Sequence, residues 1–323
     1  MKPITLMVML LAYTAASAQY TYDNLTLKTE LNAEEQSRFT YEKLRLYPIY
    51  AKESFVAYHQ YLGKYTPLKT ALEKQKVKIT ETSSESRNGS PTVNTLFIEN
   101  LSADTVFLMS GEVVTGGKQD RVVAQDVVLP PKSGKVNLSV FCVEHGRWTY
   151  NSPSNSNSFD GTMGTVTNSV RKAADVEQNQ SEVWSKVGDA NTKNKTETTT
   201  GTYKAMDNNK EYTEQRDKYI TFFKGQLSKE QNVIGLIAAS GNKVIGCDMF
   251  ATSTLFTQQL DNLLQAYTTE AILNGDKVTV SNTTMKDYAD KLLSNEKQQK
   301  EVIQKSGKSF QKGDKTLHIS EYE

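Results

Sequence analysis

The chain has 323 residues, with 38 Lys plus Arg against 37 Asp plus Glu and 37% apolar residues. So even a balance excludes the electrostatic footprint of a nucleic-acid or anionic-membrane binder, and no nucleic acid is expected as a partner. The 16 Tyr and 11 Phe supply large buried area per residue, enough to build a core with the polar segments left outside it.

The chain opens with Met1-Lys2-Pro3, an apolar run from Ile4 to Ala12, and Ala16-Ser17-Ala18. This is the pattern of a secretory signal peptide over residues 1–18, a basic start, an apolar stretch and a small-residue cleavage site. The run is too short to span a bilayer. Cleavage after Ala18 predicts an exported protein, periplasmic or extracellular, with no membrane insertion after cleavage. Residues 19–45 read as a polar, weakly ordered lead-in. Leu44 to Tyr50 reads as an edge strand because Pro48 interrupts it. Thr66-Pro67 predicts a short helix with Thr66 as its N-cap.

From Val77 the apolar period becomes two. VKITET, VNTLFIEN, TVFLMSGEVV, DRVVAQDVVLPP and KVNLSVFCVEHGRW are short runs divided by turn residues. Their spacing predicts an antiparallel meander or sandwich, with no crossovers long enough for parallel pairing. Residues 149–167 and 189–202 are rich in Ser, Asn, Thr and Gly and predict mobile loops. Between them a helix is expected from Ser169 to Val187. A helix over 207–228, a hairpin over 233–250 turning at Ser240-Gly241-Asn242, and an amphipathic helix over 253–273 follow. A short strand at 277–280, a helix from Thr284 to Ile303 and an edge strand in the tail complete the pattern. The fold class is therefore α+β, with one domain over 46–280 and a C-terminal helix and tail over 281–323.

Familiar chemical motifs are missing. His59, His145 and His318 are far apart, and neither an HExxH nor a paired-Cys pattern occurs, so no metal is expected. No GxSxG or GxGxxG is present, and no cofactor is expected. Gly116-Gly117-Lys118-Gln119 fails as a P-loop, with Glu112 in place of Gly and Gln119 in place of Ser or Thr. Cys142 and Cys247 are either a disulfide or two small apolar core residues.

Three segments place strong polar groups where packing is expected. In 110–121, the paired glycines Gly116 and Gly117 permit unusual backbone angles, and Gln119, Asp120 and Arg121 follow at once. In 140–148, Val140, Cys142 and Glu144 share one strand face, and a carboxylate there requires a cation or several donors. Arg121 and Arg147 are the candidate cations, and Trp148 offers a flat wall. In the helix 169–187, Gln180 shares a buried stripe with Trp184. Each segment is open to a structural reading, a buried ion pair and a backbone-bonded glutamine, and to a functional one, a polar pocket. Cys142 as a nucleophile lacks a base on its own face, since His145 points to the other.

At these residues the chain resembles the ARG and Rhodanese-Phosphatase-superfamily-associated domain, over about Leu46 to Tyr267. TALEKQKVKITET (70–82), SGEVVTGGKQDRVV (110–123) and VFCVEHGRW (140–148) carry the likeness. Gln180, Trp184 and VIGLIAASGNKVIGCDMF (233–250), a glycine-containing hairpin ending in Asp-x-Phe, add to it. His145 departs from the glutamine common there, and the two polar loops are expanded. The family name implies association with nucleotide or ADP-ribose metabolism.

Two functional readings, and a bland one, follow. In the first, a binding module presents Gln119, Arg121, Glu144, Arg147 and Trp148, with Gly116, Gly117, Asp120, Cys142, Gln180 and Trp184, to a small polar or anionic ligand. In the second, a hydrolase of glycosidic or phosphoester bonds uses Glu144 as general acid or base and Asp120 as second carboxylate. In the third, the same ion pairs hold together a structural or protein-interaction module.

Overall fold

Alternating apolar residues make strands, and the way those strands close places everything else. A computed structural model describes residues 20–82, 93–146 and 157–323. The expected signal peptide over 1–18, Arg147, Trp148 and residues 149–156 of the first polar tract lie outside them. The elements run β1 (Leu25–Leu27), α1 (Ala33–Phe39), β2 (Thr40–Tyr41), β3 (Leu44–Ala51), α2 (Glu53–His59), β4 (Tyr65–Pro67) and α3 (Leu68–Glu73). Then come β5 (Val77–Glu81), β6 (Thr95–Asn100), β7 (Thr105–Leu108), β8 (Glu112–Gly116), β9 (Arg121–Val123), β10 (Val127–Leu129), β11 (Gly134–Cys142) and β12 (Ser158–Thr165). Next are α4 (Asn168–Asp175), α5 (Gln180–Lys193), a 3-10 helix (Tyr203–Asn208), α6 (Lys210–Leu227), β13 (Val233–Ser240) and β14 (Lys243–Phe250). The chain ends with α7 (Ser253–Asn274), α8 (Asn282–Leu293), α9 (Glu296–Ser306), β15 (Gly307–Lys312) and β16 (Lys315–Glu321).

The fold is α+β. Six antiparallel strands close into a barrel in the order β11-β6-β5-β12-β8-β9. Val77, Ile79, Leu96, Ile98, Val114, Val123, Leu138 and Val140 pack together as its filling. The alternate residues Val113, Val122 and Phe141 pack outward against α4 and α5. A second sheet, in the order β1-β3-β13-β14-β16-β15 with β2 also on β3, is antiparallel throughout. One of its faces carries α6 and α7, and the other carries α8 and the residues around α2. With both faces covered, β13 is buried at every residue, which explains its unbroken apolar run. A small sheet, β10-β7-β4, completes the set. No described helix is long and apolar enough to cross a membrane.

Several expectations are corrected. The lead-in is ordered from Tyr20 onward: β1 pairs with β3, and α1 carries a full capping box between Asn32 and Glu35. β3 is interior, between β1 and β13. Pro48 is tolerated because β1 pairs only with residues 49–51 and β2 only with 44–45, leaving its flank open beside a bulge in the β13 pairing. Thr66 is in a strand and does not cap α3; β4 pairs in parallel with β7, the crossover between them running through α3, β5 and β6. Ser158–Thr165 is a barrel strand despite its polar composition, because ladder bonds to β5 and β8 satisfy its backbone. The helix expected over 169–187 breaks at 176–179, where Gln178 takes φ 50° and Asn179 caps a new helix. That helix continues to Lys193, into the second polar tract. Residues 277–280 are not a strand, and the last helix is two, α8 and α9. The tail strand β16 lies between β14 and β15 and is therefore not at the edge.

Candidate functional site

At one end of the barrel most of the expected residues come together. Arg121 starts β9 and is opposite both Cys142 of β11 and Val114 of β8. By alternation it shares the inward face with Val123, Cys142 with Val140, and Glu81 with Ile79. Arg121 is fully buried. Its Nη1 donates to the Gln119 carbonyl at 2.7 Å and its Nε to the Val93 carbonyl at 3.3 Å. Its Nη2 stands 3.9 Å from Glu81 Oε1 and makes no hydrogen bond. Glu81, which sequence reasoning missed, replaces the expected Glu144 as the carboxylate facing Arg121. It is polar at the last inward position of an alternating strand, a pattern the sequence does display.

The rest of the constellation ties backbone to backbone. Gln119 Nε2 donates to the Glu144 carbonyl at 2.9 Å. Asp120 Oδ1 accepts the Gly116 N–H at 3.1 Å. Gly116 and Gly117 take φ 129° and 53°, and a Cβ on Gly117 would lie 2.5 Å from the Phe159 ring, so the glycine pair lets β8 close onto β12. Gln180 is the first residue of α5, and its amide accepts the Cys142 N–H at 2.8 Å and donates to the Cys142 carbonyl at 2.9 Å. It thus stands in for a further strand residue at the end of β11. One turn on, Trp184 Nε1 is buried without a hydrogen-bond partner, and its ring meets His145 edge-on at 4.6 Å. β11 ends at Cys142, so Glu144 is buried in the bend beyond it and does not continue that strand face. The adjoining polar tract is held here, with the Gly146 N–H donating to the Thr200 carbonyl at 2.7 Å. Cys142 and Cys247 are both free and buried, so the disulfide is absent. Burial pushes both thiols up, which disfavours the thiolate a nucleophile needs.

Sequence reasoning missed a second constellation, between the barrel and the large sheet. Arg171 of α4 is bidentate to Asp248 of β14, Nη2 to Oδ1 at 2.8 Å and Nη1 to Oδ2 at 3.1 Å. Tyr267 of α7 also donates to Asp248. His318 of β16 bridges Asp126 at 2.5 Å and Asp248 at 2.9 Å, with its ring stacked on Phe250. Asp126 Oδ1 accepts the Ser110 N–H at 2.7 Å. Asp175 accepts the hydroxyls of Tyr322, Ser110 and Ser320 at 3.0, 3.2 and 3.3 Å. Gly111 takes φ 90° beneath this cluster, and a Cβ there would lie 2.5 Å from Arg171 Cγ.

Burial alone would lower His318, but Asp126 and Asp248 outweigh it and push it up to about 9. Burial tends to raise Asp248, yet Arg171 and His318 hold it well below the usual carboxylate range. Burial and then Asp126 push Asp175 up to about 6. Burial pushes nearby Glu112 up to about 7 against its bonds from the Met109 N–H and Asn262. The signal was a lone charge inside an apolar run, as in VIGCDMF and KTLHISEYE. Among the described residues no group of three or more His, Cys, Asp or Glu is arranged to hold a metal.

The model of the ARG and Rhodanese-Phosphatase-superfamily-associated Protein domain matches residues 32–320. The chain belongs to this family. The family match extends past the 46–267 stretch of the resemblance at both ends and takes in β16, hence His318. In family terms, the Asp-x-Phe that ends the hairpin supplies both Asp248, the centre of the inter-layer network, and Phe250, the ring under His318. No curated protein and no solved structure matches the chain.

Proposed function

We propose that this member of the family is an exported binding module that takes a small polar or anionic ligand at the barrel end. The observation that supports it is Arg121 Nη2, a cationic donor in a fully buried side chain that, among the described residues, has no hydrogen bond and an ion pair only at 3.9 Å. A buried donor left unbonded costs about 1–3 kcal/mol, more when charged, and an anionic or carbonyl oxygen removes that cost. Trp184 Nε1 is a second such donor, one turn from the Gln180 that closes β11. The hydrolase reading, with Glu144 as acid or base, has less support because its second carboxylate, Asp120, already holds the Gly116 N–H. The bland reading, a structural module, draws on the bonds that Gln119, Asp120 and Gln180 make to backbone. Export rests on the leader pattern of residues 1–18.

The test is thermal stability across nucleotides, ADP-ribose, sugars, sugar phosphates, amino acids and peptidoglycan fragments. A native-state ligand raises Tm by mass action. An anionic ligand is expected to raise Tm of the parent chain and to lose that increment in Trp184→Phe, which keeps an aromatic ring and removes the N–H. If no member of the panel acts, or every increment survives in Trp184→Phe, the barrel end is a structural plug.

A further inference from the structure

We infer that the Asp126–His318–Asp248 bridge is a proton-operated latch, which ties the turn between β9 and β10 to the large sheet while two protons are shared along it and frees that turn when one is lost. The latch is independent of the barrel-end reading. Asp126 is in the turn that links barrel strand β9 to β10 of the small sheet, and His318 and Asp248 are on adjacent strands of the large sheet.

The proton count follows from geometry. Both ring nitrogens of His318 meet carboxylate oxygens, Nδ1 with Asp126 Oδ2 at 2.5 Å and Nε2 with Asp248 Oδ1 at 2.9 Å. An ionised carboxylate only accepts, and a neutral imidazole has a single N–H to give. Each contact needs a proton, so the bridge holds one more than a neutral histidine brings. The count is the same whether that proton sits on Nδ1 or on Asp126 Oδ2.

Losing one proton sets a lone pair against a carboxylate, and the two carboxylates are not equally free to move away. Asp248 is held by both terminal nitrogens of Arg171 and by Tyr267, in mid-strand between β13 and β16. Asp126 Oδ1 takes the Ser110 N–H at 2.7 Å, while its Oδ2 accepts from His318 alone among the described residues. Asp126 is also nearer to solvent, 8% exposed against 1% for Asp248. A small outward swing of the turn hydrates the Asp126 charge, so this is the end that opens.

The titratable and charged groups around the bridge are Arg171 and Asp175 of α4, Tyr267 of α7 and Tyr322 of β16, with Glu112 of β8 beyond Asp126. Against the ring itself, β14 brings the stacked Phe250 and β15 brings Phe310, neither of which titrates. Burial would lower His318, but Asp126 and Asp248 push it up to about 9, above Asp175 at about 6 and Glu112 at about 7. Burial pushes Tyr267, Tyr322 and the neighbouring Cys247 further up still. A raised histidine keeps its second proton at lower pH, so the latch is closed at neutral pH and opens as pH rises through about 9.

Amide exchange of the full chain, read by NMR at pH 8 and pH 10 as protection relative to the free-chain rate at each pH, separates release of the turn from unfolding. The Ser110 N–H is bonded to Asp126, and the next amide, Gly111, is bonded to the Val123 carbonyl of β9. With a midpoint near 9, the open fraction rises about tenfold across this window. Ser110 protection is therefore expected to fall about tenfold while Gly111 keeps its own. In Asp126→Asn the side-chain amide donates to a neutral Nδ1 and its oxygen still accepts from Ser110, so no second proton is needed. Ser110 protection in that variant is expected to be the same at both pH values. Ser110 and Gly111 losing protection together would mean that the barrel opens as a whole, and overturns the inference. Ser110 protection that holds in the parent chain, or that falls equally in Asp126→Asn, overturns it as well.

Discussion

Arg121 and Arg171 are both fully buried, yet their surroundings are opposite in kind. Arg171 has a bidentate carboxylate at 2.8 and 3.1 Å, an aromatic ring 5.0 Å from its guanidinium carbon, and a second cation, His318, sharing the same Asp248. Among the described residues Arg121 has carbonyl acceptors and one loose ion pair at 3.9 Å. Arg171 leaves only its Nε unbonded while both terminal nitrogens hold one carboxylate at contact distance, so it is part of the framework, and removing that partner leaves a bare buried charge. Arg121, whose nearest carboxylate among the described residues is 3.9 Å away, keeps a terminal guanidinium nitrogen for something else. By this contrast the inter-layer network holds the barrel to the large sheet, and the barrel end is the place to look for a ligand.

The largest effect should come from the network. Asp248→Asn leaves Arg171 and His318 without their shared carboxylate, and a loss of about 3–5 kcal/mol is expected in chemical denaturation. A loss below that of any barrel-end substitution would break the contrast.

The pH dependence should come next. The folded pKa of His318, about 9, lies above its ordinary 6.5, so its contribution is complete below 6.5 and is lost as pH rises through about 9. Asp175 at about 6 and Glu112 at about 7 are also raised, from 3.8 and 4.5. As carboxyls favoured in their neutral form, they too stabilise below their ordinary values and lose that contribution as pH climbs through 6 and 7. Asp248 runs the other way: lowered, it stabilises above 3.8 and loses this as pH falls through its folded value. Stability is therefore expected to fall from pH 5 to pH 9, by about 3 kcal/mol from His318 alone and by more once Asp175 and Glu112 add to it. In His318→Gln the decline between pH 6.5 and 9 should flatten. A parent chain that grows more stable over that range would show the network to be wired differently.

Arg121→Met should cost less, about 1–3 kcal/mol, because the Glu81 left behind is bonded to the Lys118 N–H and is not fully enclosed. Equilibrium denaturation beside Asp248→Asn gives the order directly, and a larger loss at Arg121 would make the barrel end the true framework charge.

The barrel end was legible because its residues are close in sequence. Arg121 starts β9 and Cys142 ends β11, two paired strands, so alternation gives their faces, whereas it misplaced Glu144, which lies in the bend beyond β11. The network was not, because its members come from residues 110, 126, 171, 175, 248, 267 and 318–322, which only the closed topology brings together. The helices from 207 to 273 and the hairpin at 233–250 were legible from period and turn residues. Ser158–Thr165 was not, because its strand character comes from neighbours on both sides and not from its own side chains. For the same reason Gln180 was read as mid-helix: the break at Gln178, a positive φ, leaves no mark in the apolar stripe.

The smallest effect sharpens the contrast from the barrel-end side. Gln180 was expected to touch a ligand, but its amide is taken up by both backbone groups of Cys142. Gln180→Ala should therefore lower stability by about 1–2 kcal/mol, the cost of leaving those two groups without a protein partner. It should leave the Tm increment from a barrel-end ligand intact, whereas Trp184→Phe should barely move the unliganded Tm and should remove the increment. Paired melting curves with and without the ligand separate the two residues. If Gln180→Ala removes the increment instead, the glutamine reaches the ligand and the division between bracing and binding groups runs through α5 and not along Arg121.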